Sequence, residues 1–264
     1  MDEVIFKEKK IHFKITGSGP AIVFLHGFTE SLEIWNAFAT RLKKQCTVVC
    51  IDLPAHGKSE VVEKVLTMDL IADIVKHVLD ECKIKQCVMV GHSMGGYVTM
   101  AFAEKYPEML KGFCLFHSNA SADSEEAKQN RDRAAALVLS SHSEFLYSFI
   151  PDLFAPENVK KFTVEIEELK NAAASQMTPE GIVACLKGMK ERPDRTHVLK
   201  NSKVPVLFIL GKKDKRIPVD VVMKQVVLPA HSQLLLLDIG HMGYLEAKEE
   251  TFQVIRDFTA SFLL

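Results

Sequence analysis

The chain has 264 residues, 47% of them hydrophobic, enough to bury one substantial core and a length that α/β architectures fill as one domain with an insertion. Its 33 Lys and Arg balance 34 Asp and Glu, so no global field would gather nucleic acid or an anionic membrane, and a small substrate recognised locally is expected. Residues 1–7 are charged where an export signal needs an apolar core, and no later run is long enough to span a bilayer, so the expectation is a cytoplasmic protein.

In chain order, residues 4–6 and 10–15 read as a hairpin that extends one sheet edge antiparallel. Apolar runs then follow at 21–26, 46–53, 86–91, 110–116, 204–210 and 232–238. Between them, residues 31–44, 67–83, 94–106, 219–227 and 245–262 space their apolar side chains at three and four, as amphipathic helices do. Such alternation predicts the α/β class: a doubly wound, mostly parallel sheet of about eight strands. It breaks once, after the sixth strand. Residues 119–201 hold no convincing strand, and a structureless loop of that length is improbable, so a helical cap is expected there between two core segments, 1–118 and 202–264. Its Phe145, Tyr147, Phe149, Phe154, Met177, Leu186 and Met189 face either a substrate or the helices beneath; spacing does not choose. Six cysteines sit mostly in the apolar runs with no C-x-x-C pair, which predicts buried reduced thiols rather than a disulfide or zinc framework. Trp35 falls on the apolar side of the first helix, a core position.

The strongest chemical signal is Val90-Gly91-His92-Ser93-Met94-Gly95-Gly96, set directly after a strand and before a helix. A strand-to-helix turn this sharp strains its central residue and tolerates only small neighbours, here Gly91 and Gly95. The strain lifts the Ser93 hydroxyl above the sheet, beside a helix N-terminus that favours a developing oxyanion. A serine hydroxyl becomes a nucleophile only when a base removes its proton, so an acid and a histidine are sought downstream. Asp214 follows the strand at 204–210, and His241 follows the strand at 232–238; both stand where strand ends meet loops. Asp238 is the rival acid, too near His241 in sequence to orient its ring. Two N–H groups, Met94 after the nucleophile and Phe28 in the turn His26-Gly27-Phe28-Thr29, are the candidate oxyanion donors. Gly27 lets that backbone approach the reaction centre, and His26 is read as a loop-shaping residue hydrogen-bonded to backbone.

On these marks, together with Asp52-Leu53-Pro54-Ala55-His56-Gly57-Lys58-Ser59, 211–218 and Gly240-His241, the sequence resembles the α/β-hydrolase superfamily over nearly its whole length. Ala55 stands where that family usually has glycine. The resemblance implies Ser93 as nucleophile, Asp214 as acid and His241 as base, and within the superfamily it is similar to enol-lactonases, haloperoxidase-like enzymes and carboxylesterases. Hydrolysis of a small ester, lactone or thioester through an acyl-enzyme is therefore expected, without cofactor or metal. The alternatives are C–C bond hydrolysis, peroxide-dependent acyl chemistry or a lyase reaction on the same triad, and a small-ligand receptor on a hydrolase fold.

Other patterns fail. Serine at position 93 argues against the aspartate-nucleophile branches of the superfamily. Gly57-Lys58-Ser59 lacks the first glycine of a phosphate loop, Gly17-Ser18-Gly19 lacks the third glycine of a dinucleotide turn, and no H-E-x-x-H occurs. His12, His77, His117, His142, His197 and His231 are read as surface or hydrogen-bonded residues. Lys212, Lys213, Lys215 and Arg216 are read as a solvated turn, with steering of an anionic substrate as the alternative.

Overall fold

Residues 2–262 are described by a computed structural model. β1 (Glu3–Phe6) and β2 (Lys9–Thr16) form the expected antiparallel hairpin, and β2 lies antiparallel on β4 (Thr47–Ile51). β3 (Ala21–Leu25), β4, β5 (Cys87–His92), β6 (Leu110–Phe116), β7 (Val206–Gly211) and β8 (Ser232–Leu237) run parallel, in the sheet order β1-β2-β4-β3-β5-β6-β7-β8. The order reverses at β3, which has β4 on one side and β5 on the other. A crevice therefore opens beyond the carboxyl ends of β3 and β5, where α/β sheets place their ligands.

Every residue of β3, β5 and β7 is buried, as continuous apolar runs require when both sheet faces are covered. α1 (Asn36–Leu42), α2 (Met68–Glu81) and α3 (Met94–Lys105) supply part of that cover. α2 is typical: the Thr67 hydroxyl accepts from Leu70 N at 3.2 Å to cap it, and Ile71, Ile74, Val75 and Val78 form its buried stripe. Between β6 and β7 the chain makes five helices, α4 (Glu125–Ser140), α5 (His142–Phe149), α6 (Thr163–Gln176), α7 (Pro179–Glu191) and α8 (Thr196–Lys200). α9 (Val219–Val226), α10 (Gly243–Glu246) and α11 (Lys248–Ala260) complete the chain.

Three elements differ from the pattern in the sequence. Residues 31–44 are not one helix: Leu32–Trp35 is a 3-10 turn, drawn in by Leu32 N donating to Asp52 Oδ1 at 2.8 Å and by Trp35 packing on Phe24 with ring centroids 4.8 Å apart. The helix expected over 245–262 is split at Ala247, whose φ of −143° is not helical, because the Glu246 carboxylate turns back to accept from Gly240 N and Met242 N. β8 is the sheet edge, so its apolar run is half covered and Leu234 is exposed. All six cysteines are free, five buried and Cys82 half-buried. No helix among the described residues is long and apolar enough to cross a membrane.

Candidate active site

Ser93 joins β5 to α3 with φ 50° and ψ −113°, a region that costs a non-glycine residue on the order of 1–3 kcal/mol. A Cβ at Gly91 would come 2.3 Å from Gly95 O, and one at Gly95 would come 2.5 Å from Leu25 O, so both neighbours must be glycine. The turn is pinned by Ser93 N donating to Phe116 O at 2.9 Å and by Ser118 Oγ donating to Ser93 O at 2.8 Å. The side chain stays half-buried at the crevice.

Asp214 and His241 come from the loops after β7 and β8, and His241 Nδ1 donates to Asp214 Oδ2 at 2.7 Å. The other carboxylate oxygen accepts from Arg216 N at 2.8 Å and Ile217 N at 3.0 Å. Burial alone would push this carboxyl up, but the facing His241 and the N–H donors of His117 and His241 outweigh it and hold Asp214 well below the usual carboxylate range. The Ser93 hydroxyl and His241 are not hydrogen-bonded to each other, as is common before a substrate draws the two together. The rival acid, Asp238, is exposed and faces Lys213 at 3.0 Å.

The turn after β3 has an alternating pattern of donors. Gly27 N donates to Glu30 Oε2 at 2.6 Å and Thr29 N to His56 Nε2 at 3.3 Å. Between them Phe28 N, like Met94 N at the first position of α3, donates to no group among the described residues. His26 shapes this turn: its Nδ1 donates to Gly27 O at 2.7 Å while its Nε2 accepts from Leu53 N at 2.9 Å. The Asp52 segment is a scaffold, with Ser59 Oγ donating to Asp52 O at 2.6 Å and Ala55 held at φ 68°, where glycine would be unstrained. The Phe28 ring meets Phe149 at 5.6 Å and Phe145 at 6.3 Å, so these two of the seven undecided side chains pack on the turn after β3. Phe154 packs on Phe162, Tyr147 is exposed, and Met177, Leu186 and Met189 are buried.

Residues that sequence reasoning passed over tie the loops together. His92 donates from both ring nitrogens, to Glu30 Oε2 at 2.9 Å and to His241 O at 3.0 Å, and Tyr244 OH donates to Glu30 Oε1 at 3.0 Å. Burial opposes both charges, but each partner outweighs it for the other: Glu30 holds His92 above the usual histidine range, and His92 holds Glu30 below the usual carboxylate range. This ion pair spans the turn after β3, the residue before Ser93 and the backbone of His241. Of the two readings for His117 the hydrogen-bonded one holds: the ring is fully buried and its Nδ1 donates to Asp214 Oδ2 at 3.1 Å. His142 is half-buried, with its Nε2 enclosed and without a partner. The basic turn is solvated, and its exposed side chains pair with the segment between α5 and α6: Lys215 and Arg216 with Asp152, and Lys213 with Glu157. Beside the site, a cavity of about 350 Å³ is lined by Ile34, Phe38, Leu169, Met177 and Tyr244 and bordered by Glu30.

The metal-ligand types that cluster among the described residues are His117, Asp214 and His241, whose nitrogens and carboxylate already hydrogen-bond one another. A family model described as alpha/beta hydrolase fold matches residues 20–248. The chain is 32% identical to a thermophilic esterase from Thermogutta terrifontis, solved with malate bound, with a TM-score of 0.91 over 97% of this chain and 95% of that one. It is 29% identical to a 2-hydroxy-6-oxononadienedioate/2-hydroxy-6-oxononatrienedioate hydrolase of Paraburkholderia phymatum, over 95% of this chain and 91% of that one. An enol-lactonase from Burkholderia xenovorans LB400 shares the fold, with a TM-score of 0.89 at 21% identity over 97% and 98% of the two chains.

Proposed function

Since the chain belongs to the alpha/beta hydrolase fold family, we propose that it is a serine hydrolase of small-molecule esters, lactones or thioesters, with Ser93, His241 and Asp214 as its triad. The observation that carries this reading is the Asp214 carboxylate, saturated by four N–H donors and aimed at His241 Nδ1. That arrangement sets the imidazole tautomer with its lone pair on Nε2. Ser93 Oγ attacks the carbonyl carbon as its proton passes to His241 Nε2, and the N–H groups of Phe28 and Met94 receive the oxyanion. Collapse expels the alcohol or thiol with the proton from His241, and water deprotonated by the same histidine then releases the acid. The helices of residues 119–201 act as the cap, and Phe28, Phe145 and Phe149 form an apolar wall for the acyl group.

A second reading, hydrolysis of a C–C bond beside a ketone, draws on the Paraburkholderia relative. The aromatic wall favours an uncharged acyl chain over a dicarboxylate, because the cation beside Phe149, Arg216, is bound by Asp152 at 2.7 Å. Intact-mass detection of a fluorophosphonate adduct on Ser93, followed by a panel of p-nitrophenyl esters, lactones and 2-hydroxy-6-oxo-dienoates, tests both readings. Ser93→Ala is expected to abolish the adduct and lower kcat by about 10³-fold or more with the melting temperature nearly unchanged. Retained turnover in that variant would refute the assignment.

A further inference from the structure

We propose that His117 tunes the base: by donating to the same Asp214 oxygen that holds His241, it lowers the proton affinity of His241 and extends its free-base form to lower pH. This builds on the reading of Ser93, His241 and Asp214 as the triad. His241 Nδ1 and His117 Nδ1 reach Asp214 Oδ2 at 2.7 and 3.1 Å, and Oδ1 is occupied by the Arg216 and Ile217 amides. An ionised carboxylate only accepts, so each ring must present its proton to Asp214. His117 Nε2 faces no partner, and a Cβ on Gly243 would lie 2.5 Å from it, so the ring is the neutral tautomer with hydrogen on Nδ1. Burial enforces neutrality, holding His117 down to about 4.

The fold maintains this donor against a cost. His117 stands at φ 50°, a left-handed backbone unfavourable to a non-glycine residue, and its buried Nε2 goes without a hydrogen-bond partner. Packing alone would be served as well by an apolar side chain. The His117 N–H acts on Asp214 and not on the reacting atoms, so it is a positioning residue. It withdraws charge from the oxygen that stabilises the His241 imidazolium and points the positive end of its dipole toward that ring, whose centroid is 5.6 Å away. The remaining groups around His241 are Asp214 itself, His92, whose ring centroid lies at 5.1 Å and which is neutralised by Glu30 with Tyr244 behind it, and Glu246, whose carboxylate accepts from the amides of Gly240 and Met242 on either side. Of these, Asp214 is the group that His117 touches, and it is through Asp214 that replacing His117 acts.

The test is the pH dependence of fluorophosphonate labelling, which needs no natural substrate. Ser93 Oγ bonds to phosphorus, fluoride leaves, and the serine proton goes to His241, so the acid limb of the rate reports His241 in the free enzyme. His117→Leu is expected to move that limb upward by about one pH unit, and His117→Asn, whose amide restores a donor and tolerates left-handed backbone, to bring it back. His117→Gly removes the backbone strain and covers the case in which the leucine variant does not fold. Limbs that coincide in wild type, Leu and Gly variants would overturn the tuning role while leaving the triad reading intact. No labelling of Ser93 in wild type would instead overturn the triad reading.

Discussion

Glu30 and His92 are a buried charge pair at a position where charge is expensive, and the cost is offset because every polar atom has a partner. Glu30 accepts from Gly27 N, His92 and Tyr244, and His92 donates at both ends. Removing one partner of such a pair is more damaging than lacking both. Glu30→Gln keeps a side-chain oxygen for one of these donors but removes the charge that holds His92 protonated. At pH 6 the variant is expected to lose about 2–4 kcal/mol. The loss should shrink as pH rises through the His92 titration, because the wild-type ion pair exists only while His92 is charged. Chemical denaturation of both proteins at pH 6 and pH 9 measures this, and an equal loss at the two values would refute the ion pair. Ser93, Asp214 and His241 are legible in the sequence because each is announced by its own local context, a strand end followed by a turn. Glu30, His92, Tyr244 and His117 are not. Their meaning depends on pairings across 62, 97 and 214 positions, which only the folded sheet brings together.

At the scale of elements, periodicity locates the strands and most helices, because burial on both faces leaves little choice of residue type. It fails where a side chain overrides local propensity, as Asp52 does at the 3-10 turn and Glu246 does at the break before α11. The inserted helices α4 to α8 are legible as helical but not in their packing, since Phe145, Leu146, Ile166, Ile182 and Leu186 join the core through contacts with distant residues that spacing alone does not assign. One such contact is α7 against the segment leading into α2. A Cβ on Gly188 would come 1.7 Å from Leu66 O, a backbone atom that cannot rotate away. Gly188→Ala gains up to about 1 kcal/mol in helix propensity, whereas overpacking costs about 1–3 kcal/mol, and immovable backbone places it at the upper end. The variant is expected to melt several degrees lower, and a melting temperature equal to or above wild type would show that α7 is free to shift.

For the whole molecule, buried histidines set the acid limit of stability. Burial holds His56 down to about 3 and His117 to about 4, and it also lowers His26. His56 and His117 are therefore neutral in the folded chain at mildly acidic pH, whereas the unfolded chain protonates them near 6.5, and His26 is shifted in the same direction. Below that value the unfolded state therefore binds more protons, and stability falls by about 1.4 kcal/mol per pH unit for each of His56 and His117, about 3 for the two together, with His26 adding in the same sense. His92 works in the other direction: its raised value means that its contribution is complete below 6.5 and disappears as pH rises through its folded titration. Glu30 and Asp214, both lowered, add their own loss only as pH falls below the ordinary carboxylate range. Against a typical total of about 5–15 kcal/mol, the histidine slope alone is enough to unfold the protein within a few pH units below 6.5. Thermal melts from pH 8 to 4 should accordingly show a steep fall beginning near 6.5, ahead of any carboxylate titration. His56→Gln should reduce the slope by about one proton, since His56 Nδ1 donates to Pro54 O and its Nε2 accepts from Thr29 N, roles that an amide performs without titrating. A melting temperature level between pH 7 and 5, or a slope unchanged in that variant, would mean that these rings are hydrated and charged in the folded protein.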